Sequence, residues 1–359
     1  MAFQFDADQP CATAFWLTNK SLPDRLSLLL PEVEMADVEI VSTDLSSNAS
    51  FVNYVRHHRL THKITGDMIE VVEKSIRKIA GISSLEARFY RERDVLTSSS
   101  HFKHPPCYGL IETPWESIVF THYVRGKAPR MHAIAPDVAM GISEIESLSF
   151  DYLQSGGLAN AWKFWQMDFF RPWFLLRPRF NFGRFFSNLG NLAAQDGRFV
   201  GLEAPLRMFK SALLEMSRDA NASPKCFCHM DYLRKNLFVS AQGLQLIDWS
   251  EVKVGRVGFD GGAYLSALFR RNDMKRFLQV RADFLEAYEK ALDPRFDVEM
   301  AMRNARYIFL LNSLWHCMRS ETIAEFRENG RLPLLREKFD YLLLLRDEAN
   351  FISETSRSR

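Results

Sequence analysis

Residues 226–252 run CFCHMDYLRKNLFVSAQGLQLIDWSEV. This stretch reads as a loop through His229, Met230 and Asp231, a short strand LFVS (237–240), a tight turn at Gln242-Gly243 and a second strand LQLID (244–248). The five-residue separation from Asp231 to Asn236 lets one loop present both side chains to one cavity. The hairpin then brings Asp248, at a strand end, back to the same place. A carboxylate so placed can orient or deprotonate a hydroxyl. An amide oxygen and a second carboxylate can hold magnesium, which takes hard oxygen ligands and keeps several waters. Phosphoryl transfer asks for this kind of positioning and charge neutralisation, with little covalent help from the protein. The expected roles are Asp231 as base and Asn236 and Asp248 as metal ligands.

Upstream of this segment the pattern is mostly β. From about 37 to 125, the runs ADVEIVS, SFVNYVRHH, MIEVVEKSI and ESIVFTHYV are β-branched and aromatic, and are read as strands. Between the third and fourth, GISSLEARFYRERDVL is read as a helix. Ser83 or Ser84 could cap it, and Leu85, Phe89 and Val95 lie roughly on one face. From about 134 onward, helical periodicity dominates, as in PDVAMGISEIESLSFDYL and VEMAMRNARYIFLLNSLWHCM.

The segments CHMDYLRKNLFV and LQLIDWSEVKVGRVGFD together resemble the catalytic segment of the aminoglycoside phosphotransferase and choline kinase superfamily. That family reads His-x-Asp-x-x-x-x-Asn, a hairpin, Ile-Asp-Trp/Phe-Glu and a later Gly-x-x-x-x-Asp. Here the positions are His229, Asp231, Asn236, Ile247, Asp248, Trp249, Gly255 and Asp260. The resemblance implies that His229 braces the loop and that Asp260 is structural. It also implies a nucleotide loop at Ser47 and Asn48 in LSSNASFVNYV, a phosphate-binding Lys74 in EVVEKSI, and a partner for it in Glu86 of LEARFYRE. Lys74 competes with membership of a solvated basic run with Arg77 and Lys78, but the strand pattern places it inward with Val72. Glu86 competes with Glu92 on the same helix. VFTHYVRGKAP resembles the last strand and hinge, where adenine would sit. The sequence departs from the family pattern in its glycine-free loop STDLSSNAS, in Met230 where glycine is usual, in lacking the His or Lys two residues after Asp231, and in His122 at the hinge. Arg234 or Lys235 could supply the missing positive charge.

The implied fold is α+β: a bilobal protein-kinase-like fold, with a small β-rich N-lobe and a larger helical C-lobe carrying the catalytic hairpin. Residues 1–34 are read as an N-terminal extension, 35–127 as the nucleotide-binding N-lobe, 128–350 as the catalytic and acceptor-binding C-lobe, and 351–359 as a disordered tail. The implied activity moves the γ-phosphoryl group of ATP or GTP, with Mg2+, to a hydroxyl of a small molecule. Aminoglycoside, amino alcohol, sugar and nucleoside acceptors stay open. A pseudokinase-like binding protein of the same fold is the alternative. A protein kinase is disfavoured, since no DFG or APE motif is found.

Composition bounds these readings. The chain has 359 residues, 47% hydrophobic and 25% charged, so two globular lobes fit its length. A net charge of +2 gives no electrostatic case for nucleic acid. No run of ~18 apolar residues suggests a membrane span. The five cysteines are sparse and odd in number, and the acidic start lacks a basic signal region, so a reducing cytoplasm is expected rather than a disulfide framework. Cys226 and Cys228 have no second pair at zinc spacing and are expected to be buried. The aromatic, arginine-punctuated stretch 162–186 is read as core helix and crossover, an acceptor-pocket wall or a membrane-surface patch.

Overall fold

The computed structural model describes residues 11–45, 51–78, 84–91, 99–156 and 182–346. The elements run β1 (Ala12–Phe15), α1 (Leu22–Leu29), β2 (Val38–Leu45), β3 (Val52–His62), β4 (Met68–Arg77), α2 (Leu85–Arg91), β5 (Phe102–Lys103), β6 (Cys107–Glu112), β7 (Glu116–His122) and α3 (Ala135–Ser155). There follow α4 (Phe182–Gln195), α5 (Glu203–Arg207), α6 (Phe209–Asn221), β8 (Lys225–Cys228), β9 (Leu237–Ser240), β10 (Gly243–Leu246) and β11 (Lys253–Arg256). The helices α7 (Phe259–Arg271), α8 (Met274–Ala291), α9 (Val298–Cys317), α10 (Ser320–Glu328) and α11 (Leu332–Arg346) complete the order. The class is α+β, with a β-rich sheet in the N-terminal part and helices dominating thereafter. Two compact units result: residues 1–128 with 236–252, and 129–235 with 253–359. The hairpin β9–β10 therefore groups with the sheet, although the sequence reading kept it with the helical part.

In the first unit, a six-stranded sheet has the order β1-β6-β7-β4-β3-β2. β1 joins β6 in parallel, and the other neighbours are antiparallel. The segment read as an N-terminal extension thus contributes an edge strand and α1. Cys11, just before β1, is bonded to Cys107 at the start of β6, with Cα atoms 5.7 Å apart, so one disulfide is present where none was expected. Period-2 alternation divides β4 into two faces. Ile69 and Val71 enter an apolar core with Leu26, Leu29, Leu60, Ile118 and Phe120. Glu73 continues that face with no exposure. Arg25 Nη2 and His58 Nε2 each lie 2.8 Å from its carboxylate, and the Tyr54 hydroxyl donates to it at 2.8 Å. Such a buried carboxylate is held only by its partners, and removing one typically costs ~3–5 kcal/mol. Arg25 sits on α1, so the ion pair fixes that helix to the sheet. Lys74 projects from the opposite face of β4.

β9 and β10 pair from Leu237↔Leu246 to Ser240↔Gly243, and Gly243 takes φ 114°, the left-handed turn that the Gln242-Gly243 reading required. β10 also pairs in parallel with β5, making a separate three-stranded sheet.

Among the described residues, the second unit is helical apart from the antiparallel pair β8–β11. Its long helix α9 is almost wholly buried. Gly258 caps α7 at φ 94°, and a Cβ there would stand 2.2 Å from the Ala301 carbonyl oxygen on α9, so only glycine fits. Glu146, fully buried on α3, accepts the Gly258 N–H at 2.7 Å and the Tyr288 hydroxyl at 2.6 Å. No described helix is long and apolar enough to cross a membrane.

Burial pushes Glu146 up to about 8, against the two hydrogen bonds that favour its anion. Its pKa is therefore raised on folding. The associated stability is fully present below the unfolded value of 4.5 and is lost as pH rises through about 8. Denaturant unfolding of the wild type should show stability falling between pH 5 and 8, by up to about 1.4 kcal/mol per pH unit from this group. Glu146→Gln should remove that component, and an unchanged slope would contradict the assignment.

Candidate active site

The first unit assembles a lysine and two carboxylates. Lys74 Nζ lies 2.6 Å from Glu86 Oε2 and 2.7 Å from Asp248 Oδ1. The lysine comes from the centre of β4, Glu86 from the first turn of α2, and Asp248 from the residue pair after β10. Ser84 Oγ accepts the Ala87 N–H at 3.1 Å and so fixes the start of α2. Lys74 is not one of a solvated run: its side chain is 15% exposed, while Lys78 pairs separately with Glu112 at 2.7 Å. Glu92, the competing partner, lies outside the described residues, as do Ser47 and Asn48.

A stacked ring pair ties the two carboxylates to one geometry. Phe89 and Trp249 are parallel within 7°, with centroids 3.9 Å apart, and both are buried. Phe89 is one helical turn beyond Glu86, and Trp249 follows Asp248 directly. The stack therefore holds α2 against the turn that carries Asp248. Both rings were visible in the sequence, Phe89 as part of an apolar face and Trp249 as part of the Ile-Asp-Trp motif. Their contact across 160 positions had no local signal.

The electrostatics favour a charged lysine. Burial alone would lower Lys74, but the carboxylates of Glu86 and Asp248 override it and hold the ammonium well above its usual value. Burial pushes Glu86 up, and the Asp248 charge adds to that against Lys74. Two carboxylates thus meet at one ammonium group. Asn236, 2% exposed, belongs to the same unit, and its carbonyl accepts the Ile247 N–H at 3.0 Å, beside Asp248. An amide and a carboxylate oxygen are hard donors of the kind magnesium takes, with water completing its shell. Among the described residues, no group of three or more His, Cys, Asp and Glu forms a softer or denser metal cluster.

Asp231 belongs to the second unit, on the loop after β8. Its backbone N–H donates to His229 Nδ1 at 3.2 Å. Beneath the loop, Asp260 has no exposure and accepts the N–H groups of His229 (2.8 Å) and Met230 (2.9 Å) and the Tyr232 hydroxyl (2.8 Å). Burial raises the Asp260 pKa against these bonds. Cys226 and Cys228 sit buried in β8, and burial pushes both thiols up. Of the aromatic stretch 162–186, residues 162–181 lie outside the described residues, and Phe185 and Phe186 are buried in α4.

Among the described residues, two non-glycine residues take left-handed backbone: Met230 at φ 64° and Asp248 at φ 66°. This conformation costs an L-residue roughly 1–2 kcal/mol. At Met230 the two Asp260 bonds hold the turn in place. A glycine would take this backbone without that cost. Met230→Gly should raise stability by about 1 kcal/mol, read as a higher urea midpoint at unchanged slope. A lower midpoint would contradict the strain account.

The family model described as phosphotransferase enzyme family (APH) matches residues 167–297. No curated protein matches the chain. Solved structures similar to it include a choline kinase from Cryptosporidium parvum Iowa II, at 13% identity over 91% of this chain and 95% of that one, with a TM-score of 0.48. APH(2")-IIa in complex with gentamicin aligns at 15% identity over 93% and 99%, with a TM-score of 0.45. Amicoumacin kinase hAmiN in complex with AMP-PNP, Ca2+ and Ami aligns at 10% identity over 84% and 88%, with a TM-score of 0.49. The matched span includes Asp231, Asn236, Asp248 and Asp260, and over residues 167–297 the chain matches the phosphotransferase enzyme family that its His-x-Asp-x-x-x-x-Asn segment resembles.

Proposed function

We propose that the protein transfers the γ-phosphoryl group of ATP or GTP to a hydroxyl of a small molecule. The observation that carries this reading is the desolvated contact of Lys74 with both Glu86 and Asp248, in a chain whose residues 167–297 match a phosphotransferase family. Asp231 receives the acceptor hydroxyl proton as the new oxygen–phosphorus bond forms. The bond from the γ-phosphorus to its bridging oxygen breaks, and the nucleoside diphosphate leaves. Lys74, oriented by Glu86, binds the phosphates. Asn236 and Asp248 would hold magnesium, which when bound offsets charge on the phosphate oxygens. Asp260 and His229 keep the Asp231 loop in its bent form, so little reorganisation accompanies the reaction.

Release of ADP and GDP, screened over a panel of hydroxylated metabolites, tests the activity. Asp231→Asn should lower kcat by ~10²–10⁴ while nucleotide still binds. Asp248→Ala should lose magnesium-dependent nucleotide binding and keep its fold. Full turnover by Asp231→Asn would sink the assignment.

A further inference from the structure

A second feature of the helical unit has no part in the chemistry above. A cavity of about 480 Å³ lies within that unit, lined by Arg130, His132, Arg234, Arg271, Asn272 and Arg276 among others, and among the described residues no carboxylate side chain lines it. Four guanidinium groups around one cavity are unexpected in a chain whose net charge is only +2. None of the four pairs with a carboxylate side chain among the described residues. Arg234 Nε donates to the Pro129 carbonyl at 3.1 Å, and Arg276 Nη2 lies 2.6 Å from His132 Nε2. Two basic side chains thus stand in direct contact, a juxtaposition that repels when both are charged. Burial, and after it the charges of Arg276 and Arg130, hold His132 below its usual value.

The rim is built on fixed elements. Arg271 ends α7, and Lys338 closes that end by donating to the carbonyls of Phe269 and Asn272. Asp273 then caps α8, its carboxylate accepting the Arg276 N–H at 2.9 Å. The positive end of an 18-residue helix so begins at the cavity rim. Arg234 lies three residues beyond Asp231, at most about 11 Å along an extended chain.

We propose that this cavity is an oxyanion site that receives a phosphate or carboxylate carried by the acceptor molecule, so that the acceptor is an anionic hydroxyl compound. The proposal rests on the phosphotransferase reading for the word acceptor. The oxyanion site itself does not. Planar guanidinium groups match phosphate and carboxylate oxygens in pairs. The same cluster disfavours a polycationic acceptor.

Two measurements on the full chain test it. Inorganic phosphate, titrated calorimetrically without nucleotide or magnesium, should bind saturably. Arg130→Gln/Arg271→Gln should weaken that binding by about tenfold or more per arginine, with an unchanged melting temperature. Arg130→Gln alone serves if the double variant does not fold. Absent phosphate binding, or binding indifferent to these variants, overturns the proposal. Turnover is then compared for hydroxylated compounds in matched pairs, with and without a phosphate or carboxylate. A kcat/KM advantage for the anionic member that the double variant abolishes supports an acceptor-borne anion. Equal use of both members overturns the acceptor assignment and leaves free anions as the ligand. Arginine-dependent phosphate binding with no turnover of any compound would mean that the phosphotransferase reading had failed while the oxyanion site stood.

Discussion

An ammonium group held between two carboxylates in a largely dry setting is the constraint around which the rest is arranged. Lys74 must leave water to reach Glu86 and Asp248, and burial opposes its charge. Two consecutive elements, β4 and α2, and the distant turn after β10 then have to be placed together. Alternation along β4 separates Lys74 from the Ile69, Val71 and Glu73 face. The Phe89–Trp249 stack positions the carboxylates, and the Glu73 ion pair fixes the reverse face of the same strand. A buried charge triad of this kind adds little net stability and is kept for geometry. The contact of both carboxylates with one lysine is the basis for reading it as a cation and phosphate site.

The second unit applies the same logic to a loop. Asp260 supplies acceptors to consecutive backbone N–H groups, and the turn they enforce is left-handed at Met230. Glu146 fixes the N-terminus of the helix that carries Asp260. A chain of buried acceptors therefore runs from α3 to the Asp231 loop. Each member is costly to bury and is matched by a specific donor. That arrangement supports reading the loop as preorganised for catalysis.

How much of this was legible in the sequence varied with the range of the interaction. The four β-branched runs and the long helical periodicities became β2, β3, β4, β7, α3, α8 and α9, because each is decided by local alternation. The hairpin was legible through Gly243. β6, CYGLIE, was not read, since it is buried on both faces and lacks period-2 polarity. β1 escaped notice because a four-residue edge strand is defined by its partner. Within the site, Lys74 and Glu86 could be nominated because their order and spacing fit the family that the catalytic segment resembles, whereas the Phe89–Trp249 stack and the Cys11–Cys107 bond join positions too distant for any local pattern. Met230 was visible as a departure from the family pattern, and the backbone puts it in a left-handed conformation that glycine takes without steric cost. The arginine cavity was least legible, being drawn from separate segments none of which is strongly basic.

Lys74, Glu86 and Asp248 are proposed to form a site for a magnesium-bound nucleotide triphosphate. Calorimetric titration of the full chain with ATP, with magnesium present and with it chelated, and repeated on Lys74→Met, tests this most directly. The expected result is saturable binding that needs magnesium and is lost when the lysine is replaced. Binding of equal strength without magnesium, or to the lysine variant, would contradict it.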